Sequence, residues 1–128
     1  MILLDTCALI WLNDDRTNFS RRTMEILERN ADALAVSPIS FMEIGIKSRR
    51  KGFHLPYPLE AWSDKICELY SLTVIPISKG ITVEAALLPE IHKDPFDRLI
   101  IATAVINKMD IVTADQNFQE YKKINVIW

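Results

Sequence analysis

Four acidic residues lie at positions where a carboxylate needs a particular explanation. Asp5 directly follows a short apolar run, and Asp115 comes just after another, Ile111–Thr113. Glu43 and Asp97 lie instead on the apolar stripes of two predicted helices, where a carboxylate is costly unless it is paired or bound to a cation. A few carboxylates commonly hold Mg²⁺ or Mn²⁺, which can activate water against a phosphodiester. The four acids together therefore favour metal-assisted phosphodiester hydrolysis.

Asp5 and Asp115 also have an ordinary structural explanation. Asp5 precedes a short predicted helix and Asp115 a predicted turn, and Asp is a favoured N-cap. Taken singly, both positions favour capping. Thr6 and Thr113 lie beside these acids, where their hydroxyls could orient a carboxylate or a water, or could simply be strand-end threonines.

The alternatives for the two helical acids are more evenly balanced. Glu43 could close a capping box with Ser40, although Ser37–Pro38 offers a better helix start and would leave Glu43 in the second turn with no cap to make. Asp97 lies three residues after the predicted N-cap Asp94, at the N3 position of the helix. The helix dipole favours an acid at this position. Glu43 therefore favours the ligand role, and Asp97 leaves both roles open.

Short apolar runs and helical patterns alternate along the chain. The apolar runs predict strands at Ile2–Leu4, Leu34–Val36, Thr73–Ile77, Ile111–Thr113 and Ile124–Trp128. The helical patterns predict helices at Ala8–Leu12, Ser20–Arg29, Pro38–Lys51 (closed by Gly52), Leu59–Tyr70, Lys79–Leu88 and Pro95–Lys108. Strands that are apolar on both faces and separated by helices indicate an α/β fold: one domain, residues 1–128, with a mostly parallel central sheet and helices on both faces. In such sheets ligands bind beyond the carboxyl ends of the strands, and Asp5 and Asp115 each follow such an end. The sequence pattern does not give the strand order, so it leaves open whether these two strands are neighbours.

Composition sets limits on the class of protein. The chain has 128 residues and a net charge of −2, so it has no broad positive field for a polyanion. Its two cysteines, Cys7 and Cys67, do not form a disulfide framework or a zinc motif and are expected to be small buried hydrophobic residues in a reducing compartment. The N-terminus lacks a signal-peptide pattern, and no apolar run is long enough to cross a membrane. We expect a cytoplasmic protein that does not associate with membranes.

Basic and histidine side chains offer a second set of candidates. Four basic residues cluster at the end of the predicted helix that carries Glu43: Lys47, Arg49, Arg50 and Lys51. Either the helix dipole favours cations at this C-terminus, or the cluster contacts phosphate. His54 and His92 have no ligand spacing and are not expected to bind the metal.

The order of four motifs resembles the PIN-domain family, and most closely the VapC-type toxins of bacterial toxin–antitoxin pairs. The motifs are Leu3–Thr6, Ser37–Ser40 leading to Glu43–Ile44, His92–Arg98, and Val112–Asp115. The resemblance implies a divalent-metal endoribonuclease that cleaves RNA with Mg²⁺ or Mn²⁺. It also implies a catalytic and metal-binding quartet, a cognate antitoxin that covers the site, and a homodimer. Carried over residue by residue, the quartet is Asp5, Glu43, Asp97 and Asp115.

Three other classes are less compatible with the sequence. A response-regulator receiver needs an acidic pair near the first strand, but Thr6 and Cys7 follow Asp5. A phosphatase with an Asp nucleophile needs a second Asp at the position that Cys7 occupies. A catalytically silent PIN-like module that only binds protein or RNA remains as the alternative, and the complete acid quartet argues against it.

Overall fold

A computed structural model describes residues 1–50 and 52–128 and shows alternating strands and helices. Five strands are present in these residues: β1 (Ile2–Leu4), β2 (Leu34–Val36), β3 (Thr73–Val74), β4 (Asp110–Val112) and β5 (Val126–Ile127). The α-helices of the same residues are α1 (Thr6–Asp14), α2 (Arg21–Arg29), α3 (Pro38–Lys47), α4 (Leu59–Leu69), α5 (Lys79–Leu87) and α6 (Pro95–Asn107). Short 3₁₀ helices at Arg16–Asn18 and Gln116–Glu120 were not predicted. None of the helices within the described ranges is long and apolar enough to cross a membrane.

The strands form one parallel sheet in the order β3-β2-β1-β4-β5, which confirms the predicted fold class. In β1, Ile2 and Leu4 pack into one apolar cluster and Leu3 into the other, because successive side chains point to opposite faces. Residues of α1, α2 and α4 pack in the first cluster, and residues of α5 and α6 pack in the second. β1, β2 and the Ile111–Val112 part of β4 are apolar because helices cover both faces, whereas Asp110 begins β4 and is only partly buried.

The strand order places the carboxyl ends of β1 and β4 side by side. Leu4 pairs with Val112, and the amide of Asp5 donates a hydrogen bond of 3.1 Å to the Val112 carbonyl. The chain leaves β1 toward β2 on one side, while β4 lies on the other side. A crevice between two such strands is the usual ligand site of an open α/β sheet. Asp5 and Asp115 therefore follow neighbouring strands, as the site hypothesis required.

Helix α3 begins as predicted but ends earlier. The Ser37 hydroxyl accepts a hydrogen bond from the Ile39 amide at 3.2 Å, so Ser37 is the N-cap and the capping-box alternative for Glu43 is wrong. The helix ends at Lys47, and beyond it the Arg49 and Arg50 amides bond the Ile46 and Lys47 carbonyls in tighter three-residue turns. Gly52 has a φ of +92° but lies beyond this end, so its predicted role as the glycine that closes α3 is also wrong.

The prediction that both cysteines are buried is wrong. Cys7 is exposed and Cys67 is only half-buried. The reason for Cys7 is its place in the first turn of α1, where Ala8 and Leu9 occupy the fully buried positions and turn the Cys7 thiol away from the core.

Candidate metal centre

Asp5 combines the capping role with a place in a buried acidic site. Its Oδ1 accepts a hydrogen bond of 2.8 Å from the Ala8 amide and so caps α1. Burial raises the pKa of Asp5 to about 6; hydrogen bonds from Thr113 and Ala8 oppose this rise, and the charges of Glu43 and Asp115 add to it. Capping thus uses one oxygen of a carboxylate whose ionised form is destabilised at this position.

Asp97 lies at the N3 position of α6, behind Asp94. The cap itself is Asp94, whose Oδ1 accepts a hydrogen bond of 2.9 Å from the Phe96 amide. Within the described residues Asp97 accepts no hydrogen bond from the protein, and its Oδ2 lies 4.0 Å from His92 Nε2. Burial, and next the charge of Asp94, raises the pKa of Asp97 to about 7. Asp97 therefore caps no helix, and no hydrogen bond from the described residues offsets the cost of burying its carboxylate.

Glu43 extends from the second turn of α3 and has one oxygen with a cation and one without. Oε2 lies 3.6 Å from Lys47 Nζ, one helical turn further on. Oε1 is buried, and no hydrogen-bond partner for it is found in the described chain. The Thr6 hydroxyl donates to the Ser40 hydroxyl at 3.0 Å and fixes α1 against the turn of α3 before Glu43. A buried oxygen without a partner is expensive unless a cation or water completes it.

Asp115 is held on both oxygens and on its backbone. Oδ1 accepts a hydrogen bond of 2.9 Å from the Asn117 amide and caps the second 3₁₀ helix. Oδ2 lies 3.1 Å from His92 Nε2, and the Asp115 amide donates to the Thr113 hydroxyl at 3.0 Å. As with Asp5, capping fixes the direction of the carboxylate, because one oxygen is tied to the backbone.

The four acids act on one another electrostatically. The charges of Glu43 and Asp115 raise the pKa of both Asp5 and Asp97, so all four carboxylates lie within one field. A cluster of oxygen donors that repel one another, one of them with an unpartnered buried oxygen, fits a hard divalent cation. Asp5, Glu43, Asp97 and Asp115 are the residues that would hold it.

His92 also belongs to this site, although it was not expected to take part because it has no ligand spacing in the sequence. The side chain is buried, and Nε2 faces Asp115 and Asp97. One ligand atom from each of these three side chains lies within 4.8 Å of the others. A usable signal was present in the sequence: His92 stands two residues before the N-cap Asp94, where a side chain can reach the first turn of α6. His54, by contrast, is exposed.

The basic cluster is divided between two environments. Lys47 is partly buried and paired with Glu43, so it belongs to the acid site and not to an exposed patch. Arg49 and Arg50 are exposed, and their role in phosphate contact stays a prediction. Lys51 lies outside the described residues.

Arg98 anchors the loop that carries His92. Its guanidinium donates hydrogen bonds to five carbonyl oxygens at the end of α5 and in the following loop: Ala85, Ala86, Leu88, Pro89 and His92. A cation at a helix C-terminus is favoured by the dipole, and the planar guanidinium can reach several carbonyls at once. Arg98 therefore ties α5, α6 and the His92 loop together.

Replacing Arg98 by Lys should destabilise the protein by about 2–4 kcal/mol, because one ammonium group leaves most of these carbonyls without a donor. The measurement is urea unfolding at constant pH. Arg29→Lys is the matched control, since Arg29 is exposed and, among residues 1–50 and 52–128, its side chain pairs only with Glu25, at 3.8 Å; a change within about 0.5 kcal/mol is expected there. Equal losses for both variants would contradict the anchoring role.

Comparison with known proteins agrees with the resemblance in the sequence. The PIN domain pattern matches residues 2–124. Ribonuclease VapC22 of Mycobacterium tuberculosis (strain ATCC 25618 / H37Rv) is 28% identical over 122 residues, which cover 94% of this chain and 92% of that protein. A toxin–antitoxin complex from Klebsiella pneumoniae contains a chain that is 25% identical, with a TM-score of 0.68 and coverage of 100% of this chain and 97% of that one.

A second solved structure supports the fold alone. It is VapBC2 from Rickettsia felis bound to a DNA fragment from their promoter, with 18% identity, a TM-score of 0.69, and coverage of 99% of this chain and 98% of that one. The family pattern spans every strand except β5 and all four acids of the candidate site. The chain belongs to the PIN-domain family.

Proposed function

We propose that this chain is an endoribonuclease that uses Mg²⁺ or Mn²⁺ at the site formed by Asp5, Glu43, Asp97 and Asp115. The observation that carries the proposal is the buried Oε1 of Glu43, which has no hydrogen-bond partner among the described residues and lies within a field of three other carboxylates. An acid cluster that served only to cap helices would leave no such oxygen. A divalent cation would satisfy it and would relieve the repulsion by neighbouring acids that adds to the effect of burial on the pKa of Asp97.

The side chains have distinct tasks in this proposal. A bound divalent ion supplies a water of lowered pKa and neutralises charge on the phosphodiester. Asp5 and Asp115 each accept, on Oδ1, a hydrogen bond from a backbone amide at a helix N-terminus. This bond orients the carboxylate before RNA binds. Glu43 offers Oε1, while Lys47 holds its other oxygen. Asp97 contributes a carboxylate that the protein itself does not satisfy.

The direct test is RNA cleavage by the purified protein in the presence and absence of divalent metal. Cleavage should require Mg²⁺ or Mn²⁺, should stop when a chelator is added and should return when excess metal restores the free ion. The readout is the pattern of fragments on a denaturing gel, with 5′-end-labelled RNA to separate internal cuts from end trimming. Cleavage that persists in chelator, or an absence of cleavage of any RNA with either metal, would contradict the proposal. The second outcome would favour a silent RNA- or protein-binding module.

We also propose that the enzyme is the toxin of a toxin–antitoxin pair and acts in the cytoplasm. Support comes from the similarity to Ribonuclease VapC22 and to a chain of the Klebsiella pneumoniae toxin–antitoxin complex. The acid site also suits an antitoxin that places an Arg or Lys among the carboxylates, because a cation can take the place left for metal. The homodimer implied by the resemblance stays a prediction.

Expression of the chain without an antitoxin should arrest growth, and co-expression of the cognate antitoxin should restore it. Colony counts after induction measure the effect. The matched control is Asp97→Asn, which should fold and be harmless if toxicity depends on cleavage. Normal growth of cells that contain the folded, RNA-cleaving protein would exclude the toxin role and leave the nuclease proposal intact.

A further inference from the structure

The imidazole of His92 is engaged on both ring nitrogens. Nδ1 lies 3.1 Å from the Tyr121 hydroxyl oxygen, and Nε2 lies 3.1 Å from Asp115 Oδ2. The ring stacks on Tyr121 at a centroid distance of 5.5 Å and meets the edge of Phe118 at 4.9 Å. The Arg98 guanidinium donates to the His92 carbonyl at 3.1 Å. Few orientations of this ring are compatible with all of these contacts.

The hydrogen bonds around Tyr121 leave its hydroxyl proton available to Nδ1 of His92. The Tyr121 oxygen already accepts a hydrogen bond of 2.9 Å from the His92 amide, so its own proton is free to point elsewhere. Nδ1 of His92 lies within hydrogen-bond distance and can accept that proton. A neutral imidazole that accepts at Nδ1 carries its proton on Nε2. The proton on Nε2 then lies between His92 and the Asp115 carboxylate.

From this arrangement we infer that His92 is a positioning residue of the acid site and not a metal ligand. It donates its Nε2 proton to Asp115 Oδ2 and so holds that carboxylate for the divalent ion; this inference rests on the proposed metal-dependent function. A protonated Nε2 has no lone pair to offer a metal. Asp97 Oδ2, at 4.0 Å, lies beyond hydrogen-bond distance of the same nitrogen, so the bond selects Asp115.

The same contacts fix the short 3₁₀ helix that follows β4. Asp115 is the N-cap of this helix and Tyr121 is its C-cap residue. His92 therefore bridges the two ends of one element, with Nε2 at the start and Nδ1 at the end. Asp115 Oδ1 also accepts a hydrogen bond from the Asn117 amide. With the histidine bond on Oδ2, both carboxylate oxygens are held and the group cannot rotate freely. Partners of this kind orient ligating carboxylates in metal sites.

The first test does not involve metal or RNA. The chain has two histidines, so His54→Gln, at an exposed position, leaves one imidazole to observe. Long-range ¹H–¹⁵N correlation spectra of this variant, free of metal at neutral pH, should show the proton on Nε2 and the lone pair on Nδ1. A proton on Nδ1 with an unprotonated Nε2 would overturn the inference, whatever the protein proves to catalyse.

The second test separates a positioning role from direct ligation. Mn²⁺ titrations followed by electron paramagnetic resonance should show that His92→Leu weakens Mn²⁺ binding about 10–100-fold. This is the usual effect of removing a residue that hydrogen-bonds to a metal ligand and orients it. His92→Gln, which keeps an N–H donor near the position of Nε2, should stay within about threefold of the parent. In the Asp115→Asn background, His92→Leu should have little further effect, because the two residues act through one bond.

Pulsed electron paramagnetic resonance of Mn²⁺ bound to protein labelled with ¹⁵N-histidine completes the design. No strong coupling to a directly bound ¹⁵N nucleus is expected. A strong coupling that disappears in His92→Leu would overturn the inference and make His92 a ligand. If no variant binds Mn²⁺, the proposed function fails, whereas the proton position measured without metal still decides whether His92 supports Asp115.

Discussion

Replacing Asp97 by Asn should reduce RNA cleavage by about two to four orders of magnitude, equivalent to roughly 3–5 kcal/mol of transition-state stabilisation. Asn keeps the size of the side chain and loses the charge. The cap of α6 survives because Asp94, not Asp97, bonds the Phe96 amide. The loss should therefore appear in the rate of cleavage and not in the folded fraction, measured by single-turnover cleavage and circular dichroism of the same preparation.

The other acids and one distant control complete this series. Asp5→Asn and Glu43→Gln should have losses similar to that of Asp97→Asn, and Asp115→Asn a smaller one, since water can replace a peripheral ligand. Asp32→Asn is the control, because Asp32 is exposed and precedes the amino end of β2, whereas Asp5 and Asp115 follow carboxyl ends of strands; this variant should cleave at the parental rate. Undiminished cleavage by Asp97→Asn would remove this residue from the quartet.

The second large effect concerns stability without metal. The pKa of Asp97 is raised to about 7 by burial and by neighbouring acids, well above its usual value of 3.8. The folded state therefore binds a proton that the unfolded state has released between about pH 4 and pH 7, and stability falls as the pH rises through this range. Above pH 7 the full penalty is present.

Between pH 5 and pH 8 the free energy of unfolding should fall by about 1–3 kcal/mol more for the metal-free parent than for Asp97→Asn. This difference is smaller than the full pKa shift would give, because solvent screens a partly exposed carboxylate. Urea unfolding in chelator at both pH values gives the difference. Excess Mn²⁺ should then stabilise the parent strongly and Asp97→Asn weakly. If Asp97 served only the helix dipole, its replacement would cost about 0.3–1 kcal/mol with and without metal, and metal stabilisation would be unchanged.

Patterns in the sequence located the elements but not all of their neighbours. β1, β2 and the Ile111–Val112 part of β4 were predictable because strands covered on both faces are apolar, whereas Asp110 at the start of β4 was not included. The Ser37–Pro38 start of α3 was predictable from capping chemistry, and it placed Glu43 in the second turn. The end of α3 was not, because the chain leaves the helix through tight turns at Arg49 and Arg50, ahead of the Gly52 that was expected to close it.

Residues brought together by the strand order were the hardest to predict. Asp5 and Asp115 meet only because β4 lies next to β1, and no local pattern specifies that choice. His92 was missed for the same reason: its partners Tyr121 and Asp115 lie 29 and 23 residues further along the chain. The four acids as a set could be named from the sequence, and their joint role as metal ligands stays a prediction for the variants above.

The pairing of β1 with β4 has a consequence for the protein during its synthesis. Ile2 pairs with Asp110, so β1 cannot gain its second neighbour until about a hundred further residues have been translated. Contacts between such distant segments close slowly, because the loop entropy is lost before the contact forms. Asp97 and Asp115 are also translated late. The four acids can therefore come together only after Asp115 has been translated and β4 has paired with β1.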